Sequence, residues 1–591
     1  MFQLIKIHKW ALLFALFIGI IVAFPQFYFP YDHADTYKGI YIANTDNEVG
    51  YLGRIGEVRD GHPLLGSINF KDGKDNPYIQ SPLGENIIAR LGGILFLNLN
   101  GTILLARFLF AFLGFLAVYG FVFLLSKEKL TAISAATAVC LAKSLISRGG
   151  LIALLKGGAP TVHFVDFYRP VHPMVSFLFF FGFLLFFWLF LYPERAGRVE
   201  GLARKRWVFG VISTLILGSS FYLYPYTWSF IYAFLGALCL IFLFQKKWQD
   251  IKRLILMGLG GVVIAIPYFL NIYRSFLHPY FTEVNVRFGL TETHQIILGF
   301  LVPSIFVLFL LFFPKEGRNR YIFSLALLTA PFIVLNQQLI TGKEFHSGHY
   351  HWFFNQPLAI IFLVTMLLYQ LKFWQQKLKL FKNINISKIT ACLIIGASFY
   401  TGIVIQAASY KETKPQILED QRSGPIVEWL NKNANKDEVV LSDIHQSDIV
   451  SIYTSLNQFY AFSSPYYFSA SNERVLNALF LSYRLDGLKG EDAQALFLQN
   501  PYRYIISKTV FGVYYRDTFG SAEAIPDEIL NSFVKKYQDF LLIPLDRFLK
   551  MDDVKYVVWD TKNYPQWRLD QYGFLSKVYE TGDFKIYQIK Y

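Results

Sequence analysis

A cluster of acidic residues stands out in the polar stretch TDNEVGYLGRIGEVRDGH, which follows the first apolar segment of the chain. Asp46 and Glu48 begin this cluster. Helical spacing would bring Glu48 and Tyr51 to one face and place Arg54 one turn beyond Tyr51. A carboxylate at the entrance of such a helix can take a proton from a hydroxyl or hold a divalent cation against a phosphate. The alternative is a solvated amphipathic helix, capped by Asp46 and with Glu48 in its positively polarised first turn.

Two other places offer carboxylates. Asp32 and Asp35 follow the first apolar segment directly, and either could replace the pair described above. Further along, the loop SRGGLIALLKGGAPTVHFVDFYRPVHP contains Arg148 and a single carboxylate, Asp166. Asp166 is therefore a candidate for a second acidic group of a catalytic site. The alternative is an ordinary surface ion pair between Asp166 and Arg169, which would contribute little to stability.

A third polar loop, NQQLITGKEFHSGHYHWFFNQP, is rich in hydrogen-bond donors. Lys343, His346 and His349 beside a membrane surface suit the phosphate of a lipid, because they supply positive charge and N–H groups. Interfacial packing is one alternative. A metal site formed by His346, His349 and His351 is another, although this spacing matches no strong zinc signature.

Composition decides the class of protein that must position these residues. Hydrophobic residues make up 54% of the chain and charged residues only 17%, which is too apolar for a soluble protein. The net charge of +14 does not indicate nucleic-acid binding, because Lys and Arg concentrate in alternate short loops, as orientation in a membrane requires. About eleven transmembrane helices are predicted, near residues 10–30, 103–125, 130–146, 173–192, 207–224, 227–244, 254–271, 296–313, 321–338, 355–371 and 389–408.

Loop charge predicts the orientation of these helices. The loops expected inside carry these basic residues: Lys127, Lys129, Arg195, Arg198, Arg204, Lys205, Arg206, Lys246, Lys247, Lys252, Arg253, Lys315, Arg318, Arg320, Lys372, Lys377, Lys379, Lys382 and Lys388. With the N-terminus cytoplasmic and an odd number of spans, the chain after about Tyr410 lies outside. We therefore predict a membrane domain over 1–410, with a long first external loop at 31–92, and an extracytoplasmic domain over 411–591.

The C-terminal region has the pattern of a soluble α/β domain. IVEWLNKNANKDEVVLSD predicts an amphipathic helix, a turn and a buried strand, and VKYVVWDT and DFKIYQIKY predict two further strands. The three cysteines all lie in apolar segments, so no disulfide framework is expected. The predicted fold is thus an α-helical polytopic membrane protein with a C-terminal α/β domain.

Several of these features together resemble the GT-C superfamily of polyprenyl-phosphate-dependent glycosyltransferases. They are the first-loop acids followed by Tyr51, Arg54 and a glycine, the downstream segment NPYIQSPLGENIIARLGG, and Arg107 near the start of the next span. The superfamily includes protein O-mannosyltransferases, aminoarabinose transferases of lipid A and catalytic subunits of oligosaccharyltransferase. The similarity covers the first 125 residues in motif detail and the remainder only as architecture.

The resemblance implies an inverting enzyme of the plasma (inner) membrane that transfers a hexosyl or pentosyl group from a polyprenyl-phosphate donor to a lipid, glycan or protein acceptor. It makes Asp46 or Glu48 the catalytic base, and Asn47 between them leaves the choice open. Asp35 and Asp166 are further catalytic candidates. The candidate substrate-binding residues are Tyr51, Arg54, Arg107, Arg148, Lys343, His346 and His349. The cofactor is left open, and a divalent cation is one candidate.

Two other classes of function compete with this interpretation. A lipid or polysaccharide transporter, or flippase, would place ionisable groups near the middle of the bilayer, whereas here they crowd the external ends of the spans. A noncatalytic envelope scaffold would use the external domain to bind a partner, and substitutions in its first loop would be silent.

Overall fold

The structure is a computed structural model that describes residues 2–43, 46–193, 205–288, 291–378, 385–459, 470–512 and 525–590. The side chains of Asp46 and Asp166 are also outside the described part. So are five basic residues of the predicted inside loops, namely Arg195, Arg198, Arg204, Lys379 and Lys382.

The chain divides into two compact units, each assembled from separate segments. We call the first the bundle unit, which comprises Met1–Asp32, Gly101–Tyr268 and Glu292–Pro415. The second, the sheet unit, comprises His33–Asn100, Phe269–Thr291 and Gln416–Tyr591. The first external loop therefore belongs to the same compact unit as the C-terminal region.

Helices of very different lengths make up the bundle unit, and the longest of them are apolar. Their bounds are Phe2–Asp32, Leu99–Ser126, Lys129–Leu141, Arg148–Leu155, Met174–Leu191, Arg206–Ser220, Pro225–Phe244, Trp248–Ile264, Leu301–Phe312, Arg318–Val334, Gln338–Thr341, Ser347–Tyr350, Gln356–Leu378 and Ile386–Asp420, with a π-helical turn at His351–Asn355. Short 3₁₀ turns lie at Lys143–Ile146 and Asp166–Tyr168, and two-residue strands at β1 (Thr291–Glu292) and β2 (Lys343–Glu344).

Each of the eleven predicted spans overlaps a helix, although residues 296–300 of one predicted span precede the Leu301–Phe312 helix. Within the described ranges, seven helices are long and apolar enough to cross a membrane, and the bent pair Trp248–Ile264 and Ile266–Phe276 makes an eighth candidate. Pro267 lies at the break, where it cannot donate a backbone hydrogen bond to the preceding turn. Three shorter apolar helices, Lys129–Leu141, Arg206–Ser220 and Leu301–Phe312, account for the other predicted spans. The chain is a multi-pass α-helical membrane protein.

Aromatic packing and a few satisfied polar groups hold the bundle interior. The ring of Phe323 lies 4.9 Å from that of Phe234, 5.0 Å from Trp188 and 6.0 Å from Phe187, measured between centroids. Gln406 is buried, and its amide nitrogen donates to the carbonyl oxygens of Ile21 and Val22 at 3.0 Å. These bonds matter because lipid offers no replacement partners for a buried amide.

A five-stranded mixed sheet organises the C-terminal part of the sheet unit. Its strands are β3 (Val439–Leu441), β4 (Asn457–Gln458), β5 (Val554–Asp560), β6 (Leu575–Thr581) and β7 (Phe584–Ile589), in the order β4-β3-β5-β7-β6. β3 pairs in parallel with β4 and β5, whereas β7 is antiparallel to β5 and β6. The predicted C-terminal strands are thus confirmed as part of an α/β arrangement.

Helices cover both faces of this sheet. The helices that lie wholly in the sheet unit are Asp46–Arg59, Leu83–Ile94, Phe281–Phe288, Gly424–Asn433, Ile444–Tyr453, Asn472–Leu485, Ala493–Phe497, Tyr502–Phe511, Asp527–Leu541 and Leu545–Met551, whereas the Ile266–Phe276 helix has its first three residues in the bundle unit. Because successive side chains of a strand point to opposite faces, Val439 and Leu441 enter one apolar core and Val440 enters the other.

Candidate functional site

The acidic stretch of the first loop forms the Asp46–Arg59 helix, called here the first-loop helix. It packs against the Leu83–Ile94 helix and the Ile444–Tyr453 helix of the same unit. Gly56 permits this close packing, since a Cβ atom at that position would lie 3.2 Å from the carbonyl oxygen of Ile452. The predicted helix is therefore confirmed, but it is a packed element of the sheet unit rather than a solvated one.

Burial distinguishes the acids of the first loop. Glu48 lies in the first turn of the first-loop helix and is only 2% exposed, and Tyr51 is 5% exposed. The helix N-terminus carries a positive partial charge, which favours a carboxylate at this position. Asp46 begins the helix, and Asp35 is exposed in the turn that follows the first span. Of Glu48 and Asp35, whose side chains the structure describes, Glu48 has the environment expected of a group shielded from bulk water.

Arg54 forms a buried ion pair that fixes the first-loop helix to the segment after it. Its Nε donates to the carboxylate of Glu85, and Nη2 donates to the carbonyl oxygen of Gln80 at 3.2 Å. Both charged side chains are fully buried. Removing one partner would leave an uncompensated charge in the interior. No local pattern in the sequence indicates this pair, because its members are 31 residues apart.

Glu57 occupies the other end of the first-loop helix. Burial raises the pKa of its carboxyl group, and nearby Lys74 and His62 oppose that rise. The Nζ of Lys74 lies 2.5 Å and the Nε2 of His62 3.9 Å from Glu57 Oε1. The Glu57 carboxylate therefore already has Lys74 and His62 as charged or polar neighbours.

In the bundle unit, Arg107 and Arg148 differ in their surroundings. Arg107 is 1% exposed in the Leu99–Ser126 helix, and its guanidinium lies 5.9 Å from the centre of the Phe164 ring. Arg148 is exposed at the first position of the Arg148–Leu155 helix, which Ser147 caps by accepting from Gly150 N at 3.1 Å. Asp166 begins the 3₁₀ turn Asp166–Tyr168.

A cluster of cationic, imidazole and aromatic side chains lies at the ends of several bundle helices; we call it the histidine cluster. At its centre is His349, whose Nδ1 is hydrogen-bonded to the hydroxyl of Tyr224. The His349 ring lies 4.7 Å from the Tyr226 ring, 6.0 Å from His346 and 5.7 Å from Phe353. The two histidines predicted from the sequence are therefore neighbours on aromatic surfaces.

Two further cations join the histidine cluster from elsewhere in the chain. Lys143 Nζ lies 5.6 Å and the Arg169 guanidinium 6.0 Å from the centre of the Phe353 ring. Arg169 Nε also donates to the carbonyl oxygen of His172 at 2.8 Å, and the His172 ring stacks on Tyr224 at 4.5 Å. The sequence pattern did not predict a role for Lys143 in this cluster. Lys143 lies at the end of an apolar segment, and such lysines usually only anchor a helix at the interface.

Lys343 lies in strand β2 and is exposed. Its carbonyl oxygen accepts from the amide nitrogen of Gln337 at 2.6 Å, which shapes the turn before His346. Across the described ranges, no group of three or more His, Cys, Asp or Glu side chains is placed to hold a metal ion, and this includes the histidines of this loop.

Comparisons with known proteins give structural similarities at low sequence identity. No family model matches the chain, and no curated protein matches its sequence. The apo crystal structure of the Archaeoglobus fulgidus oligosaccharyltransferase is 12% identical, with 94% of this chain and 70% of that chain covered and a TM-score of 0.47.

A second similar structure is that of ArnT from Cupriavidus metallidurans bound to undecaprenyl phosphate. It is 11% identical, with 98% of each chain covered and a TM-score of 0.47. A third is the archaeal oligosaccharyltransferase AglB from Archaeoglobus fulgidus in complex with an inhibitory peptide and a dolichol-phosphate. This structure is 13% identical, with 94% of this chain and 70% of that chain covered and a TM-score of 0.44.

Proposed function

We propose that this protein is an integral membrane glycosyltransferase that transfers a sugar from a polyprenyl-phosphate donor to an extracytoplasmic acceptor. The observation that carries the proposal is the histidine cluster at the ends of apolar helices. Lys143, Arg169 and His349 come from three separate segments and lie around the Phe353 ring, and His346 lies beside His349. Such a group suits a phosphate on a lipid, because the apolar tail stays between helices while cations and N–H donors meet the headgroup.

The chemistry requires a base as well as a phosphate site, and we assign Glu48 to that role. Its carboxylate takes the proton from the acceptor hydroxyl as the oxygen attacks the anomeric carbon. The bond between that carbon and the phosphate oxygen breaks, and the polyprenyl phosphate leaves with the negative charge that cations stabilise. Asp46, in the same first turn, is the alternative base. The Arg54–Glu85 pair acts as a positioning element for this helix.

The proposal includes a location and a topology. The N-terminus lies in the cytoplasm of a cell whose plasma (inner) membrane holds the bundle, and the sheet unit lies outside. This orientation is supported by the basic residues of alternate short loops. The acceptor is then a lipid, glycan or protein of the extracytoplasmic space.

The test is sugar transfer by the purified protein in liposomes. Synthetic polyprenyl-phosphate donors, each with a different radiolabelled hexose or pentose, are incubated with cell-envelope fractions, and labelled product and released polyprenyl phosphate are measured together. We expect transfer from one donor class, with Glu48→Gln lowering turnover by about a hundredfold or more, because the amide cannot accept the proton.

Asp75→Asn is the matched control, since Asp75 is an exposed acid of the same loop. It should transfer at the parental rate. Full activity of both Glu48→Gln and Asp46→Asn would exclude these carboxylates and direct attention to Asp35 and Asp166. Absence of transfer from every donor would contradict the enzymatic proposal itself.

A further inference from the structure

A cavity of about 460 Å³ lies within the sheet unit, at the far end of the first-loop helix from Glu48. Arg59 and Asp60 line it from that helix end, and Asn431 lines it from the C-terminal region. Asn98 and Asn100 line it from the start of the Leu99–Ser126 helix, where the chain up to Asn100 still belongs to the sheet unit. Its volume is in the range of small-molecule sites.

The cavity is distinct from the proposed reaction centre. Glu48 and Arg59 are eleven positions apart in one helix, which at 1.5 Å per residue separates them by about 16 Å along the axis. A ligand bound beside Arg59 would therefore not have its reacting atom there. It could still belong to a larger molecule that also reaches Glu48.

Three asparagine side chains line the cavity, and the amide of Asn100 is already oriented by the protein. Asn100 Nδ2 donates to the carbonyl oxygen of Gly39 at 2.6 Å and to the Tyr37 hydroxyl at 3.1 Å. Its Oδ1 is buried and has no hydrogen-bond partner among the described residues. The two bonds made by Nδ2 therefore hold the Asn100 amide in place at the edge of the cavity.

The charges of the lining argue against an anionic ligand. Arg59 and Asp60 contribute one positive and one negative group, and Arg59 Nη2 is engaged with the carbonyl oxygen of Leu97 at 2.8 Å. A phosphate site would need a surplus of cations. The remaining polar lining, three asparagines with Thr454 and Ser455, both donates and accepts hydrogen bonds, and Tyr37 adds an aromatic ring.

We propose that this cavity binds a neutral sugar residue of a glycan acceptor, several residues away from the hydroxyl that is glycosylated. A neutral sugar presents hydroxyls that donate and accept together, as the amides and hydroxyls of the lining do, and an apolar ring face that suits Tyr37. The inference rests on the proposed function only in taking the bound sugar to be part of the acceptor. Sugar binding itself does not depend on transfer.

The test measures the binding of neutral sugars to the full-length protein in nanodiscs, and saturation-transfer NMR detects the bound sugar. The probes are methyl α-mannoside, methyl α-glucoside, N-acetylglucosamine, maltotriose and mannotriose, with inorganic phosphate as the anionic comparison. We expect saturation transfer to at least one neutral probe. Asn431→Ala and the filling variant Asn98→Trp should weaken binding by about fivefold or more, whereas phosphate should not compete.

Asn433→Ala is the matched control, because Asn433 is an exposed asparagine of the same helix and does not line the cavity. It should bind sugar as the parent does. No binding of any neutral probe, or undiminished binding in Asn98→Trp, would overturn the inference, as would binding of phosphate alone.

Glu48→Gln separates this inference from the proposed function. The variant should lose transfer and keep sugar binding, because its substitution lies at the other end of the helix. Sugar binding without transfer in the parent would contradict the proposed function and leave the cavity assignment standing. Transfer without binding of any neutral sugar would support the proposed function and contradict the cavity assignment.

Discussion

Asp443 allows a quantitative test of how burial of a carboxyl group affects the stability of the sheet unit. It follows strand β3 and caps the Ile444–Tyr453 helix, accepting at Oδ1 from the backbone N–H groups of His445 and Gln446 at 2.9 and 3.0 Å. It is 2% exposed, and its Oδ2 has no hydrogen-bond partner among the described residues. Burial raises the pKa of Asp443 to about 6, the two backbone bonds oppose that rise, and Asp560 adds repulsion.

The sign of the pH effect follows from this raised pKa. Between the ordinary value of 3.8 and about 6, the folded protein holds a proton at Asp443 that the unfolded chain has released. Its contribution to stability is therefore present at low pH and is lost as the pH rises through this window. The full loss corresponds to about 3 kcal/mol of unfolding free energy.

Asp443→Asn should remove the loss of stability at high pH, because Asn is as good a helix cap as Asp and does not ionise. At pH 8 we expect the amides of β3 and of the Ile444–Tyr453 helix to exchange with deuterium about a hundredfold more slowly than in the parent. At pH 4, after correction for intrinsic exchange rates, the two proteins should differ by less than about threefold.

Hydrogen exchange of the purified full-length protein, read by mass spectrometry, measures this difference directly. Asp492→Asn is the control, since Asp492 is an exposed residue before the Ala493–Phe497 helix and should show no effect at either pH. Equal exchange in Asp443→Asn and the parent at pH 8, or a gain of the same size at pH 4, would refute the argument from burial.

Three other predictions concern the first loop, the histidine cluster and the topology. Arg54→Met and Glu85→Gln should each destabilise the sheet unit by about 3–5 kcal/mol and the double variant by much less than their sum, measured by hydrogen exchange of the first-loop helix; additive losses would refute the coupling. Lys143→Gln should raise the KM for the polyprenyl-phosphate donor about tenfold with little change in kcat, whereas the exposed Lys156→Gln should not; an unchanged KM would remove Lys143 from the phosphate site. A reporter that works only outside the cytoplasm should be active when fused after residue 591, and activity of a cytoplasm-only reporter there would contradict the orientation.

The sequence alone determined the local elements of this protein. Apolar segments of sufficient length predict helices wherever they occur, because backbone groups in lipid must be satisfied within the segment. Periodicity likewise placed the Gly424–Asn433 helix, β3, β5 and β7 in the C-terminal region. Each of these signals is contained within about twenty neighbouring residues.

Tertiary structure decided which of these elements meet. Arg54 and Glu85 are 31 residues apart, and Lys143 and Phe353 come from distant segments. Nothing in local periodicity selects such partners, because each side chain could pair with several others of the same type. The choice depends on which arrangement buries apolar surface while leaving no charge unpaired, and that is a property of the folded chain as a whole.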